Sequence, residues 1–249
     1  MRHVDIRHGS ATDVGLVRAV NEDSLLALPP VFVVADGMGG HDGGDIASAI
    51  VVEEFTRLAE TGYDAARGPA AVAATLRACH ERIERHAAGQ RAAGQPSYQA
   101  GTTAVVALLV EEDDEARWLV ANVGDSRAYR LDGGRLEQVS VDHSLVQELV
   151  EAGSISAAEA AHHPERNIVT RALGGPECPE ADFFLLPLTT TARLVLCSDG
   201  INGMLDDPEI ARVLAASADP AEAATALVAA ALSAGGEDNA TVVVVDVVG

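Results

Sequence analysis

The sequence predicts a single α+β domain in which helices cover antiparallel β-sheets. Apolar, β-branched segments of strand length follow one another through short turns. Segments with helical periodicity cluster in separate stretches instead of alternating with the strands. The 249 residues suffice for one large core, and no repeat, linker or low-complexity tail divides them. Residues 1–249 are therefore expected to form one domain.

The first half of the chain predicts two strands followed by two helices. Segments 25–28 and 31–35 are short and apolar, which is typical of buried strands. In 44–60 and again in 69–88, apolar residues recur at steps of three and four, the period of an amphipathic helix. Each helix is expected to cover a sheet with one face.

The second half predicts five longer strands, two surface helices and an irregular stretch. In the irregular stretch, 142–180, His, Pro and Gly interrupt short helical pieces, which indicates either an irregular insertion or a mobile flap, and the flap would comprise residues 144–170. A tight turn at 132–134 joins two short strands. The predicted strands are 102–110, 118–123, 127–131, 194–197 and 241–248, and the predicted helices are 207–217 and 219–234.

Composition and charge exclude several classes of function. The 17 basic and 38 acidic residues give a formal net charge of −21, which would repel a nucleic-acid backbone. Every one of the 17 basic residues is an arginine, so a Walker lysine, a kinase lysine and a lysine Schiff base are excluded. The three cysteines, Cys79, Cys178 and Cys197, fit neither a disulfide framework nor a zinc cluster.

No segment approaches the roughly 18 apolar residues that would span a bilayer, and residues 1–10 lack the apolar centre of a secretory signal. The sequence therefore predicts a cytoplasmic protein without a membrane segment.

Acidic residues recur where predicted strands begin or end. Three apolar strands run directly into an aspartate beside a glycine, and two further strands directly follow acidic residues. A carboxylate at the mouth of a buried strand costs several kcal/mol of desolvation unless a cation compensates it. Oxygen ligands without Cys or His favour Mg²⁺ or Mn²⁺ over zinc. Helix caps and Asx turns explain the same residues equally well. The residues concerned are Glu22, Asp23, Asp36, Asp125, Asp199 and Asp238.

The order of these motifs resembles the metal-dependent serine/threonine phosphatases of type 2C, in their bacterial form. The matching stretches span nearly the whole chain, and their combination is far more specific than any one of them. They include Asn21-Glu22-Asp23-Ser24, Ala35-Asp36-Gly37-Met38-Gly39, Gly101-Thr102-Thr103, Gly124-Asp125-Ser126, Ser198-Asp199-Gly200 and Glu237-Asp238-Asn239.

The resemblance implies a four-layer α-β-β-α sandwich with a metal site at one end. Two antiparallel sheets would pack face to face, with a helix pair on each outer side. The site would bind two Mn²⁺ or Mg²⁺ ions and a third, weaker metal. In the implied roles, Asp36 bridges the two metals, and Glu22 and the Gly37 carbonyl complete the coordination sphere of one of them. Asp199 and Asp238 hold the other metal, and Asp125 holds the third together with Asp199. Arg18 binds the substrate phosphate.

The function implied by the resemblance is hydrolysis of phosphoserine and phosphothreonine on cytoplasmic proteins by a metal-activated water. Phosphorylated proteins, including a bacterial serine/threonine kinase whose action the enzyme opposes, would be its partners. Two alternatives remain open at this point. One is a small-phosphate or phosphodiester hydrolase with the same two-metal site, and the other is a degenerate binding module without activity.

One residue departs from many eukaryotic members of the family. Met38 follows the Asp36-Gly37 pair, where those members carry a histidine proposed to protonate the leaving group. A thioether cannot donate a proton. The hypothesis for this chain is therefore protonation by water, with His41 or a flap residue as the alternative donor.

Overall fold

The computed structural model describes residues 4–39 and 43–248, which form two five-stranded antiparallel sheets packed face to face between helices. The strands are β1 (Asp5–Asp13), β2 (Ser24–Leu28), β3 (Val31–Ala35), β4 (Gly37–Met38), β5 (Gly101–Thr102), β6 (Ala104–Glu112), β7 (Glu115–Val123), β8 (Arg127–Asp132), β9 (Arg135–Gln138), β10 (Asp182–Pro187), β11 (Arg193–Cys197) and β12 (Ala240–Val248). The helices are α1 (Gly44–Thr61), α2 (Gly68–Ala92), α3 (Leu145–Glu151), α4 (Ala157–Ala160), α5 (Asp199–Asn202), α6 (Asp207–Ala216) and α7 (Pro220–Ser233).

The strand order of each sheet brings distant parts of the chain together. One sheet has the order β10-β7-β6-β3-β2, and the other has the order β1-β12-β11-β8-β9. A separate two-stranded ladder joins β4 to β5. Because β3 and β7 are both antiparallel to β6, they run in the same direction and end at the same edge of their sheet.

Three apolar layers hold the sandwich together. Between the sheets, Trp118 packs edge-on against Phe32 with ring centroids 5.8 Å apart. Outside the first sheet, Phe55 of α1 and Ile83 of α2 are fully buried against its strands. Helices α6 and α7 cover the second sheet in the same way. These layers confirm the predicted α+β class and the four-layer sandwich.

Most predicted elements are present with small shifts of their ends. The predicted helices 44–60 and 69–88 correspond to α1 and α2, and 207–217 and 219–234 correspond to α6 and α7. The predicted strand 102–110 is divided at Thr103, because β5 pairs with β4 while β6 pairs with β3.

Three strands, β1, β4 and β10, were not predicted. Strand β4 has only two residues, whereas β1 and β10 lie at sheet edges, and β1 is mostly polar. Its Gly9 is nevertheless tightly packed, since a Cβ there would lie 2.2 Å from the backbone of Ala221 at the start of α7.

The predicted flap, 144–170, contains the short helices α3 and α4. Its two ends are joined by a bridge between Ser144 and Val169 and by a hydrogen bond from the Leu145 amide to the Ile168 carbonyl. Its mobility stays a prediction. In the described ranges, no helix has both the length and the apolar character that a membrane crossing requires.

Candidate metal centre

The register of the strands brings the acidic motifs to one end of the sandwich. Ser24 at the start of β2 faces Ala35 at the end of β3, which places residues 22 and 23 beside Asp36. In the second sheet, Cys197 at the end of β11 faces Val242 near the start of β12, so Asp199 and Asp238 approach each other in the same way. Asp125 follows β7, whose end lies at the same edge as the end of β3.

Asp36 is half-buried, and its carboxyl group lies among other carboxyl groups. Burial raises its pKa well above the ordinary value, and the charges of Asp199, Asp23 and Asp125 raise it further. Its backbone is fixed by the segment between β5 and β6. The Asp36 amide donates to Thr103 Oγ1 at 3.0 Å, and the Asp36 carbonyl accepts from the Thr103 amide at 2.9 Å. The carboxyl group is thus held among like charges by its own backbone.

Asp125 is buried and Asp199 is half-buried, and both lie beside Asp36. Burial raises the pKa of Asp199, the charge of Asp238 adds to the shift, and a hydrogen bond from the Asp36 carboxyl group opposes it. Burial, followed by the charges of Asp199 and Asp142, raises the pKa of Asp125 to about 7. A cation that bridges two carboxylates would take the place of the proton that the two groups share.

Glu22 and the Gly37 carbonyl converge on Gly44 at the start of α1. A Cβ on Gly44 would lie 2.9 Å from Glu22 Oε1 and 2.9 Å from the Gly37 carbonyl oxygen. Only a glycine at this position lets the two oxygens approach the helix so closely. Burial and the charge of Asp45 raise the pKa of Glu22. The two oxygens implied for one coordination sphere are therefore neighbours.

Asn239 positions the Glu22 segment, and sequence reasoning did not single it out. Its Oδ1 accepts a hydrogen bond from the Glu22 amide at 2.8 Å, and its Nδ2 donates to the carbonyls of Val14 and Val20 at 2.9 and 3.0 Å. Asn239 is 6% exposed, so its buried carboxamide fixes the backbone of the segment that leads to Glu22. An asparagine directly before an apolar strand is the only sequence signal for this role.

Asp23 is a second residue that the predicted site set left out. Ser198 Oγ donates to Asp23 Oδ2 at 2.7 Å, so the side chain reaches from the first sheet to the second. Burial raises the pKa of Asp23 to about 7, against hydrogen bonds from Thr241 and Ser198. Strand alternation gives the signal, because residue 23 shares the face of Leu25, which packs between the sheets.

Arg18 lies at the exposed rim of the cluster and is already paired. Its Nη2 is 2.6 Å from Asp238 Oδ2, with 54% of the Arg18 side chain and 34% of the Asp238 side chain exposed. The hydrogen bond to Asp238 raises the pKa of Arg18, and the charges of Asp199 and Glu22 add to the shift, so the guanidinium lies near these three acidic residues. The structure thus brings all the predicted site residues to one end of the sandwich.

The chemistry of these oxygens fits a hard divalent cation. Within residues 4–39 and 43–248, none of Asp23, Asp36, Asp125 and Asp199 forms an ion pair with an arginine. Over the same ranges, no three His, Cys, Asp or Glu side chains are grouped as a complete ligand set, so the fit rests on donor type and burial.

Met38 is half-buried in β4, and the alternative proton donor to the leaving group, His41, lies outside the described residues.

The chain is similar in sequence and in structure to known proteins. The family model for protein phosphatase 2C matches residues 19–235. The serine/threonine phosphatase stp of Listeria welshimeri is 36% identical over 243 residues, covering 94% of this chain and 93% of that protein. The crystal structure of the phosphatase Stp1 from Staphylococcus aureus matches 98% of this chain and 96% of its own, with a TM-score of 0.89 and 30% identity.

A further solved structure contains metal. The catalytic domain of the serine/threonine protein phosphatase PstP, in complex with two manganese ions, matches 99% of this chain and 100% of its own. The TM-score is 0.83 and the identity is 36%.

Proposed function

The chain belongs to the protein phosphatase 2C family, and on that premise we propose that its buried carboxylates hold the metals and that Arg18 binds the phosphoryl group. The enzyme is a metal-dependent serine/threonine protein phosphatase that uses Mn²⁺ or Mg²⁺. The observation that carries the proposed roles is the position of the Asp36 carboxyl group, which lies among four other carboxyl groups without an arginine in contact.

The proposed ligand roles follow the positions of the oxygens. Asp36 lies centrally enough to serve two cations, and the neighbouring oxygens of Glu22 and Gly37 support one of them. When bound, Mn²⁺ or Mg²⁺ supplies Lewis acidity to the phosphoryl oxygens and lowers the pKa of water. The remaining proposed ligands are Asp199 and Asp238 for the second cation and Asp125, with Asp199, for a third.

Arg18 is suited to orient the phosphoryl group. Its guanidinium has five N–H donors, and its hydrogen bond to Asp238 uses Nη2. The other donors are available to phosphoryl oxygens, because half of the side chain is exposed. A planar fork anchored by Asp238 fixes the phosphorus relative to the carboxylate cluster.

The proposed substrates are phosphoserine and phosphothreonine proteins, among them a bacterial serine/threonine kinase whose action the enzyme opposes. We also propose that residues 1–249 act as one catalytic domain in the cytoplasm, with 144–170 as a flap over the site. The family membership and the relatives' names support these proposals. Met38 cannot protonate the leaving alkoxide, so water is the proposed donor.

Hydrolysis of a phosphothreonine peptide tests the function, with bis(p-nitrophenyl) phosphate as the diester comparison. We expect Mn²⁺-dependent hydrolysis of the peptide that stops on chelation and returns when Mn²⁺ is added back. Preferred hydrolysis of the diester would favour the small-phosphate alternative. Peptide binding without turnover in the presence of Mn²⁺ would favour the binding module.

A further inference from the structure

The loop that carries Arg18 also carries an exposed apolar patch. Leu16, Val17 and Val20 are 70%, 70% and 60% exposed, and they are the most exposed large hydrophobic residues in the described part of the chain. The others that are exposed lie between 37% and 44%. Scattered apolar residues on a surface are ordinary, but a group of them around one functional residue marks an interaction site.

The loop is held rigidly in this exposed arrangement. The Leu16 amide donates to the Gly236 carbonyl at 2.7 Å, and Asn239 Nδ2 donates to the carbonyls of Val14 and Val20. Gly15 has φ of +81°, and a Cβ there would lie 2.3 Å from the Asp238 carbonyl oxygen. Both ends of the loop are therefore tied to the segment before β12. Because these hydrogen bonds already order the backbone of the loop, binding costs less conformational entropy than it would for a mobile loop.

The position of Arg18 determines what covers the patch. Arg18 lies between Val17 and Val20 in the loop, so a phosphoryl group bound by its guanidinium brings the neighbouring residues of the same peptide over the patch. An extended peptide advances by about 3.3–3.6 Å per residue, so the residues next to the phosphorylated one are within reach. A net charge of −21 and the exposed part of Asp238 disfavour acidic neighbours.

We propose that Leu16, Val17 and Val20, the Arg18 patch, bind apolar residues that flank the phosphorylated residue of a protein substrate. The proposal rests on the proposed role of Arg18 and adds a substrate preference to it. The patch selects apolar, non-acidic sequences around phosphoserine or phosphothreonine. Burial of the flanking side chains supplies binding energy that a small phosphate ester lacks.

Two phosphothreonine peptides test the preference, one with Leu and Val beside phosphothreonine and one with Ser and Gly there. The variant L16S/V17S/V20S removes the patch, and F183S/L185S is the matched control, because both of its residues are 39% exposed on the edge strand β10. We expect the wild type to prefer the apolar peptide in kcat/KM. In the patch variant the ratio of kcat/KM for the apolar peptide to kcat/KM for the other peptide should be roughly tenfold lower, mainly because KM for the apolar peptide rises. The control should keep the wild-type ratio.

A binding measurement separates failure of this proposal from failure of the proposed function. Fluorescence anisotropy of the labelled apolar peptide on D36N protein reports on docking without turnover. Equal binding by D36N proteins with and without the patch would overturn the proposal even if the wild type is an active phosphatase. Loss of a concentration-dependent dimer in the patch variant, with an unchanged peptide preference, would assign the patch to self-association and overturn it as well. Wild-type protein that hydrolyses neither peptide with Mn²⁺ would contradict the proposed function, while the anisotropy result would still decide the docking.

Discussion

The two ends of the strand pair β11 and β12 differ in how buried charge is compensated. At the end far from the metal centre, Arg193 on β11 faces Asp246 on β12 in register. Arg193 Nε and Nη2 lie 2.7 and 2.9 Å from the two Asp246 oxygens, and both residues are less than a tenth exposed. The guanidinium also donates to the carbonyls of Leu214 in the last turn of α6 and of Ser217 directly after it. The chain itself compensates this charge.

At the other end of the same strands, acidic residues accumulate without such compensation. Asp199 follows β11 and Asp238 precedes β12. Asp36, Asp23 and Asp125 join them, and burial raises the pKa of each of these three carboxyl groups. Of these five residues, only Asp238 contacts an arginine in the described ranges, and that arginine is the exposed Arg18. Arg127, which faces Cys197 at the same end, is paired with Asp142 instead.

This difference separates a structural charge from a functional one. A buried ion pair made by the chain keeps its own energy low and needs nothing from solution. A group of buried carboxyl groups without a cation raises the energy of the folded protein unless protons or metal ions occupy it. The far end therefore needs no ion from solution, and the near end is where we propose that metal binds.

The largest expected effect comes from D36N. It should lower kcat/KM on a phosphothreonine peptide at least about a hundredfold, since metal contributes several kcal/mol of transition-state stabilisation. The same substitution should raise the free energy of unfolding of chelated protein, because it removes the charge that lies among the other carboxyl groups of the cluster. Peptide hydrolysis with Mn²⁺ and urea titration with EDTA measure the two effects. D36N that loses activity and stability together would make Asp36 a folding residue and remove the contrast between the two ends.

D246N should have the opposite pattern. Removing the partner of a buried Arg193 is expected to destabilise the protein by about 3–5 kcal/mol at 25 °C while kcat per folded molecule changes little. Urea titration measures the loss. E137Q is the matched control, since Glu137 pairs with Arg130 on the same sheet but is 46% exposed, and exposed pairs contribute about 0.2–1 kcal/mol. Equal losses in both variants would show that the far end has no special compensation.

The sequence identified the near end because strand ends are visible in it. Apolar runs that stop at Asp36, Asp125 and Asp199 mark the ends of β3 and β7 and the end of β11, and the register of antiparallel strands then brings them together. The residues alone could not decide between a metal site and local caps, because the decision depends on burial. Burial is a property of the packed sheets.

The partners of charged residues could not be predicted. Arg193 and Asp246 are separated by 53 residues, and nothing in their local sequence indicates that they meet. The same holds for Ser198 and Asp23, which lie on different sheets. Strand β1 was missed because its polar residues at a sheet edge lack the apolar alternation of a half-buried strand. Long-range pairing and edge position are determined by topology, which local periodicity does not contain.

The stability of chelated protein should fall as pH rises from about 4 to about 7. The pKa of Asp23 is raised to about 7 in the folded protein from 3.8, so the folded state binds more protons than the unfolded state in this window. Stability linked to Asp23 is therefore complete below the unfolded value and lost as pH rises through the folded one. Thermal unfolding in EDTA at several pH values measures it. D23N should flatten the dependence, and stability that rises between pH 5 and 7 in the wild type with no change in D23N would contradict the assignment.

The smallest expected change in stability comes from R18Q, which tests whether Arg18 compensates the charge of the carboxylate cluster. Arg18 and Asp238 are both exposed to water, so loss of their ion pair should change the free energy of unfolding by less than about 1 kcal/mol. The KM for a phosphothreonine peptide should nevertheless rise roughly tenfold, because the phosphoryl group loses its planar donor. R212Q is the control, since Arg212 makes an exposed pair with Glu209 on α6, far from the cluster. A stability loss as large as that of D246N would mean that Arg18 compensates the buried carboxylates. The near end would then resemble the far end, and the proposed role of Arg18 in phosphate binding would lose its physical basis.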